Sequence, residues 1–489
     1  ADSGVSHVIM EASSHALQQH RLGTIAYDVG IFTNLSQDHL DYHGTMAEYY
    51  TAKSRLFSHH MLAGGTVVVA EQPAGDDAQS PSKAVADLCR SLPLITLVCG
   101  ESPNCNVKLV DHRASLKGVR CEIIDNRGHH HQIESSLIGR FNITNLLTAF
   151  SALISMGFDG DRSAELLGRA AGAPGRIEPI RLAQKAGGQA TVIVDYAHTP
   201  DALEKVLTAL KSLEHERLIC VFGCGGNRDE YKRFLMGEIA ARLSDIAVVT
   251  DDNPRREDPA AIRQAVIEGV ASSGLPRRLP DWLDRREPGE RGYLEIDGRG
   301  IAIRTVLTRS GRGDIVLIAG KGHENYQIVG SQSRYFDDTR CAQQSSLAWD
   351  LQSVTAATGG TIIRTGGTSY FGNVSTDTRA ISSGDIFVAL EGEVYDGHDF
   401  LDKAVASGAG CLVVSDADRA AEAEVCCVQV DDTLAALGNL AHYRLELVRK
   451  MSQPVVIGLT GSCGKTTVKD MAGAIFDSRW PNRSDRPAD

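Results

Sequence analysis

No uninterrupted apolar run in the 489 residues reaches the roughly 20 residues that span a bilayer, and we expect no signal peptide. We therefore expect no membrane span. Cysteine pairs of the C-x-x-C type are also missing. The 11 cysteines are scattered and odd in number, which indicates reduced thiols in a cytoplasmic protein.

An excess of positive charge is lacking as well. Lys and Arg number 50 against 62 Asp and Glu, for a net charge of -12. Because phosphate backbones and acidic membranes are bound by basic faces, this balance argues against a nucleic-acid or membrane-surface partner. It does not exclude a single phosphate ligand held by a glycine-rich loop, and glycine is plentiful at 48 residues.

Hydrophobic residues make up 42% and charged residues 23%, the balance of an ordinary globular protein. The length predicts about three domains. In the first third, apolar runs at 7–10, 29–33 and 66–70 alternate with amphipathic helical patterns at 46–59 and 143–156. Such alternation predicts an α/β fold with a parallel sheet.

Two further blocks follow the same pattern. The predicted strands of these blocks are 191–196, 218–222, 246–250, 315–319, 386–390, 411–414 and 455–460. Helices are predicted at 399–407 and 433–450, and the charged stretch 284–300 is predicted to be a surface loop. The start at Ala1 and the polar tail from Ser478 are expected to be cuts through something larger.

The segment from Gly461 to Thr467 follows the last apolar run and opens a helical pattern, the setting of a phosphate loop. Backbone N–H groups at Gly461 and Gly464 can turn toward a phosphate, Lys465 can reach terminal phosphates, and the Thr466 hydroxyl can hold Mg²⁺. Leu459 stands where the strict pattern has its first glycine, so a plain glycine-rich turn is the alternative.

Polar residues follow two apolar runs of the first block: Glu11, and then the cluster Asp38-His39-Leu40-Asp41-Tyr42-His43. Ligands of open α/β sheets bind at the carboxyl ends of strands, where a carboxylate and an imidazole can share Mg²⁺. Taken alone, ordinary loop residues explain the pattern equally well. By itself, Lys53 is typical of a solvated surface lysine. The run 129–131 of three histidines is better explained by a solvated turn than by a metal site.

The second block carries four polar segments, each at a predicted strand end, so that their side chains can converge on one crevice. The segments are 195–201, 223–228, 251–255 and 320–324. Polar loops at strand ends are common in α/β proteins, and a charged turn is the alternative for Asp251-Asp252-Asn253-Pro254-Arg255.

Together these motifs resemble the Mur ligase family, over nearly the whole chain. Residues 1–170 resemble its central ATPase domain without that domain's own phosphate loop, and 171–342 its amino-acid-binding C-terminal domain. Residues 345–450 resemble the UDP-binding N-terminal domain of the D-alanyl-D-alanine-adding member, and 451–489 the truncated start of its central domain. The resemblance implies three α/β domains in permuted or truncated order, as in a fusion of two members.

The resemblance also implies a reaction. ATP phosphorylates the carboxylate of a UDP-N-acetylmuramoyl peptide, and an incoming amine attacks the acyl phosphate. It implies Mg²⁺ ligation by Glu11, His39 and Thr466, and a carbamylated Lys53 that helps to hold the metal. The implied nucleotide contacts are Gly461, Gly464, Lys465, Thr466, Thr467, Asn145, Arg176 and Asp195, and the implied catalytic residues are Lys53, Lys465 and His198.

For the UDP-muramoyl peptide, the resemblance implies contacts from Ser13, Gln19, Arg21, Ser375, Asp377 and Arg379, the last three beside a Gly392-x4-Gly397-His398 pattern. For meso-diaminopimelate it implies Arg228, Asp252, Asn253, Arg255, Gly320 and Glu324. An arginine fork binds a carboxylate bidentately. Lysine has no distal carboxylate, so Arg255 favours diaminopimelate as the added amino acid.

The missing parts of the two resembled enzymes are complementary. We therefore expect the strand at 455–459 to dock beside the N-terminal segment and complete one sheet, as in a circular permutant. A fragment that binds nucleotide or UDP-precursor without turnover is the competing interpretation, and an unrelated P-loop ATPase is a third. We expect a monomer.

Overall fold

The computed structural model describes residues 4–35, 40–72, 80–183, 189–285, 287, 289–366, 370–381, 384–392, 395–420, 423–452, 454–462 and 465–479. The chain divides into two compact units, Ala1–Ala348 and Trp349–Asp489. Each unit is described by itself.

The first sheet of the first unit is mixed. Its strands, in spatial and chain order, are β1 (Tyr27–Phe32), β2 (Met61–Ala70), β3 (Ile95–Gly100), β4 (Val107–Ser115), β5 (Gly118–Ile124) and β6 (His130–Ser135). Strands β1 to β4 are parallel, whereas β4, β5 and β6 pair antiparallel. The predicted parallel pairing is confirmed for β1 and β2, whereas the antiparallel strands β4 to β6 were not predicted.

Helices cover both faces of the parallel part. The helices of this region are α1 (Ser14–Gln18), α2 (Leu40–His43), α3 (Met46–His59), α4 (Pro81–Arg90), α5 (Arg140–Ser155) and α6 (Gly160–Gly168). Because successive strand residues point to opposite faces, Val68 packs with Phe150 of α5 in one cluster, while Val67 packs with Phe57 of α3 in another. A strand buried on both faces reads as a continuous apolar run, as Val67–Ala70 does.

The second sheet of this unit is parallel except at one edge. Its strands are β7 (Glu178–Ile180), β8 (Thr191–Asp195), β9 (Leu218–Phe222), β10 (Ile246–Val249), β11 (Gly292–Glu295) and β12 (Ile315–Ala319), in the spatial order β11-β10-β9-β12-β8-β7. Only β7 pairs antiparallel. A hairpin follows, formed by β13 (Tyr326–Val329) and β14 (Gln332–Tyr335).

Its helices are α7 (Pro200–Lys211), α8 (Tyr231–Leu243), α9 (Pro259–Ser272), α10 (Arg299–Arg309) and α11 (Asp338–Ser346), with a 3-10 helix at Pro280–Asp284. Leu207, Met236 and Val266 of α7, α8 and α9 share one core cluster, while Ile303 and Ala342 of α10 and α11 belong to the other. The sheet is therefore covered on both faces, and the predicted α/β fold class is confirmed.

The stretch 284–300, predicted to be a surface loop, contains β11, so that prediction is wrong. Gly292, Tyr293 and Leu294 are buried, and the strand pairs with β10. Charged residues on either side hide a strand of only four residues, which is too short to produce a visible periodicity.

The second unit contains a five-stranded sheet in the order β15 (Thr361–Arg364), β19 (Cys426–Gln429), β18 (Cys411–Val414), β17 (Ile386–Val388) and β16 (Val374–Ser375). Its helices are α12 (Leu351–Thr358), α13 (Leu401–Ala406), α14 (Thr433–Ser452) and α15 (Lys465–Arg479), with 3-10 helices at Gly397–Phe400 and Asp418–Ala420. Val354 of α12 and Leu440 of α14 pack on one face, and Leu401 of α13 packs on the other.

Two apolar runs predicted to be strands, 7–10 and 455–460, are not assigned to any strand. Ile9 is 100% exposed and Val455 is 88% exposed. A strand-like sequence becomes a strand only when a neighbour accepts its backbone hydrogen bonds. Among the described residues, no helix is both long and apolar enough to cross a membrane.

Candidate functional site

The loops that follow β9, β10 and β12 converge at one edge of the second sheet. These strands are parallel and lie side by side, with β9 between the other two. Gly223 and Gly226 make the convergence possible. A side-chain carbon at Gly223 would stand 2.3 Å from the Thr250 carbonyl oxygen, and one at Gly226 would stand 2.0 Å from that of Pro254. The predicted meeting of these segments is confirmed for the loops after β9, β10 and β12.

Asp252 and Asn253, buried at the end of β10, meet Lys321 and Glu324, which follow β12. The Lys321 ammonium donates to Asn253 Oδ1 at 3.2 Å and lies 3.5 Å from Asp252 Oδ1. Asn253 Nδ2 donates to Glu324 Oε2 at 3.3 Å. Two carboxylates, an amide and an ammonium thus form one cluster, joined by hydrogen bonds through Asn253 and by an ion pair between Lys321 and Asp252.

Arg255 is held beside this cluster through its backbone. Its N–H donates to the Ile328 carbonyl oxygen at 3.0 Å, and its own carbonyl oxygen accepts from Gly330 at 2.6 Å. These contacts with the hairpin fix the residue at φ 53°, a conformation that is uncommon outside glycine. Its Nη1 donates to the Gly226 carbonyl oxygen at 2.9 Å, so the half-buried guanidinium lies over the loop after β9.

The structure separates the remaining two predicted residues of this set. Gly320 joins β12 to the cluster at φ 121°, and its N–H donates to the Asp195 carbonyl oxygen at 3.0 Å. Glycine is required there, because L side chains rarely adopt this φ. Arg228 is exposed on the loop after β9.

Asp251, the residue before Asp252, holds the loop after β10 in place. Its carboxylate accepts from Arg263 Nη1 at 2.5 Å and from the Gly298 N–H at 3.0 Å. Burial raises the pKa of Asp251, although Arg263 opposes that shift. Arg263 also contacts Glu295 at 3.3 Å and Asp297 at 3.2 Å. Arg263 was not predicted as part of the site, because an arginine within a helix gives no sign in the sequence that it will be buried.

A second group of predicted residues surrounds Tyr196, after β8. The Arg176 guanidinium lies 5.0 Å from the centre of the Tyr196 ring, and the His198 ring lies edge-on to it at 4.5 Å. His198 Nδ1 donates to the Tyr196 carbonyl oxygen at 2.8 Å, which leaves Nε2 to accept or bind. A guanidinium beside an aromatic ring and an imidazole is suited to binding a nucleotide, since the guanidinium can bind the phosphate and the ring can stack on the nucleotide base.

The Asp195 carboxylate accepts hydrogen bonds from backbone N–H groups. Its carboxylate accepts from the N–H groups of Ile177 at 2.8 Å and Ala197 at 2.7 Å. Burial raises its pKa, although these hydrogen bonds oppose the shift. Asp195 therefore positions the segment that carries Arg176, and its predicted nucleotide contact stays a prediction. Asn145, on α5, is exposed and donates to Asn142 Oδ1 at 2.9 Å.

The predicted residues of the N-terminal block lie around α1 and α3. Glu11 and Arg21 are exposed, Ser13 caps α1 by accepting from the Ala16 N–H at 3.2 Å, and Gln19 donates to the Tyr42 hydroxyl at 2.8 Å. His39 lies outside the described residues. Its role as a metal ligand therefore stays a prediction.

Lys53 belongs to a layered group of side chains in this block. Its ammonium lies 5.1 Å from the centre of the Tyr49 ring, and the Tyr49 ring stacks on buried His43 at 4.9 Å. His43 Nε2 in turn contacts the Ser14 hydroxyl at 2.8 Å. Lys53 is half-buried, not the freely solvated lysine that its sequence context alone indicates.

In the second unit, the proposed phosphate loop precedes α15. Gly461 has φ 151°, and the Lys465 ammonium donates back to its carbonyl oxygen. Lys465, Thr466 and Thr467 are exposed in the first turn of the helix. Gly464 lies outside the described residues. A helix N-terminus with exposed donors has the polarity that an anionic phosphate needs.

Ser375, Asp377 and Arg379 form a compact turn in which Ser375 and Asp377 are half-buried and Arg379 is exposed. The Ser375 hydroxyl donates to the Asp377 carbonyl oxygen at 3.0 Å. Arg379 pairs with the Asp377 carboxylate through Nε at 2.9 Å and Nη2 at 2.7 Å. This pair holds the pKa of Asp377 low, at about 2. Arg379 must release Asp377 before it can bind a phosphate in the same way.

The histidine run differs from the predicted solvated turn. His131 is buried, with Nδ1 at 2.7 Å from Asp161 Oδ1 and Nε2 at 3.3 Å from Asp125 Oδ2. The His131 imidazole therefore links β6 to α6 through its contact with Asp161. His129 and His130 are exposed, as expected of a turn.

Sequence profiles of Mur ligases match three parts of the chain: the middle domain over residues 1–153, the glutamate ligase domain over 175–322 and the catalytic domain over 371–444. The chain is similar to UDP-N-acetylmuramoyl-L-alanyl-D-glutamate–2,6-diaminopimelate ligases. That of Rickettsia bellii is 39% identical over 351 residues, 71% of this chain and 67% of the relative. That of Geobacter metallireducens is 40% identical over 343 residues, 69% of this chain and 64% of the relative.

A solved structure of a ligase with the same name is 35% identical, with a TM-score of 0.48, over 69% of this chain and 63% of the other. The chain spans about two thirds of the length of the curated relatives it matches. The profile matches over residues 1–153 and 175–322 include both sheets of the first unit. The chain belongs to the Mur ligase family.

Proposed function

We propose that this protein is an ATP-dependent ligase that adds meso-diaminopimelate to UDP-N-acetylmuramoyl-L-alanyl-D-glutamate. The observation that carries the proposal is the cluster of Asp252, Asn253 and Glu324 beside Arg255 at the carboxyl ends of β10 and β12. Diaminopimelate carries one ammonium–carboxylate centre for reaction and a second at its far end. A guanidinium with neighbouring carboxylates complements that second centre.

We assign the remaining site residues the roles that the matching residues have in the Mur ligase family. Gly461, Gly464, Lys465 and Thr467 bind the ATP phosphates, and Asn145, Arg176, Asp195 and His198 contact the nucleotide. Glu11, His39 and the Thr466 hydroxyl would hold Mg²⁺, which prefers oxygen ligands and neutralises charge on phosphoryl groups. A carbamate on Lys53 would replace the ammonium with an anionic oxygen ligand, on a side chain that is half-buried beside Tyr49.

The donor substrate is proposed to contact Ser13, Gln19 and Arg21 in the first unit. For the second unit, we propose that Ser375, Asp377 and Arg379 bind a uridine nucleotide, as in the D-alanyl-D-alanine-adding member. The match of residues 371–444 to the family supports a Mur ligase origin for that unit. We propose a cytoplasmic monomer.

A binding protein without turnover is the second candidate. It is favoured by the exposure of Ile9 and Val455, which leaves both apolar runs outside the described sheets. Diaminopimelate or nucleotide binding would survive in such a protein, because the amino-acid cluster and the phosphate loop belong to different units.

Phosphate release from ATP separates the two candidates. With Mg²⁺, UDP-N-acetylmuramoyl-L-alanyl-D-glutamate and diaminopimelate, we expect release that depends on both substrates. Lys465→Ala should reduce it by on the order of 100-fold, since a cation that stabilises the transferring phosphoryl group is lost. Lys469→Ala, at an exposed position of the same helix, is the matched control and should retain the rate. Release equal in the wild type and Lys465→Ala would favour the binding protein.

A further inference from the structure

Lys321 is a lysine with a fully buried side chain. It is 0% exposed, although it lies in a Gly-Lys-Gly turn after β12. Lysine is almost never fully buried unless it is paired. Burial lowers the pKa of Lys321, and the charge of Asp252 opposes that shift. Such a residue is kept in place by specific acceptors.

The acceptors come from three separate segments. The Lys321 ammonium donates to the Tyr326 carbonyl oxygen at 2.6 Å and to Asn253 Oδ1 at 3.2 Å. It also lies 3.5 Å from Asp252 Oδ1 and 3.8 Å from Glu324 Oε2. One side chain therefore connects the loop after β10, the loop after β12 and the hairpin of β13 and β14.

The direction of the Asn253 amide depends on this contact. Its Oδ1 accepts from Lys321 and, at 2.9 Å, from the Ile328 N–H. The amide nitrogen must then point to Glu324, to which it donates at 3.3 Å. Without the ammonium, Oδ1 keeps only the backbone donor and the amide can rotate away from Glu324.

The charge balance gives Lys321 a second effect. It stands between Asp252 and Glu324, whose repulsion it reduces while leaving the pair net negative. Asp252 Oδ1 is buried and makes no hydrogen bond to any described residue, apart from the 3.5 Å ion pair with Lys321. A buried carboxylate oxygen without a hydrogen bond can accept one from a further donor. The ammonium of a bound substrate would be such a donor.

We propose that Lys321 is a positioning residue that sets amino-acid specificity, by holding Asp252, Asn253 and Glu324 as one preassembled surface for the distal ammonium of the added amino acid. The inference rests on the proposed function for the identity of that amino acid. Lys321 acts through its three neighbours and does not itself contact the reacting atoms.

The test compares Lys321→Met and Lys321→Gln with Lys205→Met, a substitution of an exposed lysine of α7. Diaminopimelate binding to the full chain is measured by calorimetry, and the KM values for diaminopimelate, ATP and UDP-precursor by phosphate release. For Lys321→Met we expect the diaminopimelate Kd and KM to rise about 30-fold or more, as when one partner of a buried charged pair is removed. The other two KM values and the Lys205→Met values should stay within twofold.

Lys321→Gln keeps donors for Tyr326 and Asn253 but no charge, so it tests the proposal if Lys321→Met fails to fold. A rise in diaminopimelate KM with a cooperative, near-wild-type thermal transition supports positioning. An unchanged diaminopimelate KM in folded Lys321→Gln, or equal rises for all three substrates, overturns it. Absence of diaminopimelate binding by the wild type contradicts the proposed function itself, and a wild type that binds without phosphate release contradicts only turnover.

Discussion

Arg255→Ala is expected to reduce kcat/KM for diaminopimelate by about 100-fold or more, the effect of removing one partner of a bidentate charged hydrogen bond. The guanidinium lies over Gly226 with its backbone fixed by Ile328 and Gly330, so its position does not depend on the substrate. The loss should appear in the KM for diaminopimelate and leave those for ATP and UDP-precursor unchanged.

Two substitutions make this result specific. Arg255→Lys keeps the charge but not the planar fork, and we expect it to recover only part of the loss. Arg256→Ala, at the exposed neighbouring position, should match the wild type. Steady-state phosphate release with varied diaminopimelate measures all three variants. An equal effect of Arg255→Ala and Arg256→Ala would contradict the assignment of the distal carboxylate to Arg255.

Arg299→Met is expected to destabilise the first unit by about 3–5 kcal/mol, because it leaves a buried charge without its partner. Arg299 and Asp338 both have fully buried side chains and pair through Nε at 2.7 Å and Nη2 at 2.6 Å. Burial alone would lower the pKa of Arg299, but Asp338 raises it above its usual value. Nη2 also donates to the Ala319 carbonyl oxygen at 2.9 Å, directly before Gly320.

Urea unfolding followed by circular dichroism measures this loss of free energy. The double variant Arg299→Met with Asp338→Leu should recover most of it, since both charges are then removed and apolar volume is kept. Arg90→Met, in an exposed pair with Asp87, is expected to change stability by less than about 1 kcal/mol. A double variant as unstable as Arg299→Met would show that packing, not charge, accounts for the effect.

The sequence pattern predicted the buried strands best. The runs at 218–222 and 315–319 match β9 and β12, since strands covered on both faces are apolar throughout and end at glycine. The pattern did not predict β11, which is short and flanked by charged residues. It also did not predict β4 to β6, in which buried and exposed residues are mixed along each strand, so that no continuous apolar run appears. It also failed at 7–10 and 455–460, where the apolar pattern is present but the described sheets provide no neighbouring strand.

For the candidate site, the strand ends predicted which loops meet but not which side chains contact one another there. The segments 251–255 and 320–324 were predicted to meet because parallel strands end at the same edge, whereas the choice of Asp252, Asn253 and Glu324 within them came from the family resemblance. Lys321 was missed. A lysine between two glycines is typical of an exposed turn, and its burial depends on acceptors supplied by Asn253 and Tyr326 from other segments. Tertiary contacts of this kind leave no local signal.

Mass spectrometry of the reaction product tests the central claim most directly. The full chain is incubated with ATP, Mg²⁺, UDP-N-acetylmuramoyl-L-alanyl-D-glutamate and either meso-diaminopimelate or L-lysine. The account predicts a UDP-linked tripeptide that contains diaminopimelate, formed with ADP and phosphate, and little product with lysine. Incorporation of lysine as readily as diaminopimelate, or no amide product with either amino acid, would contradict it.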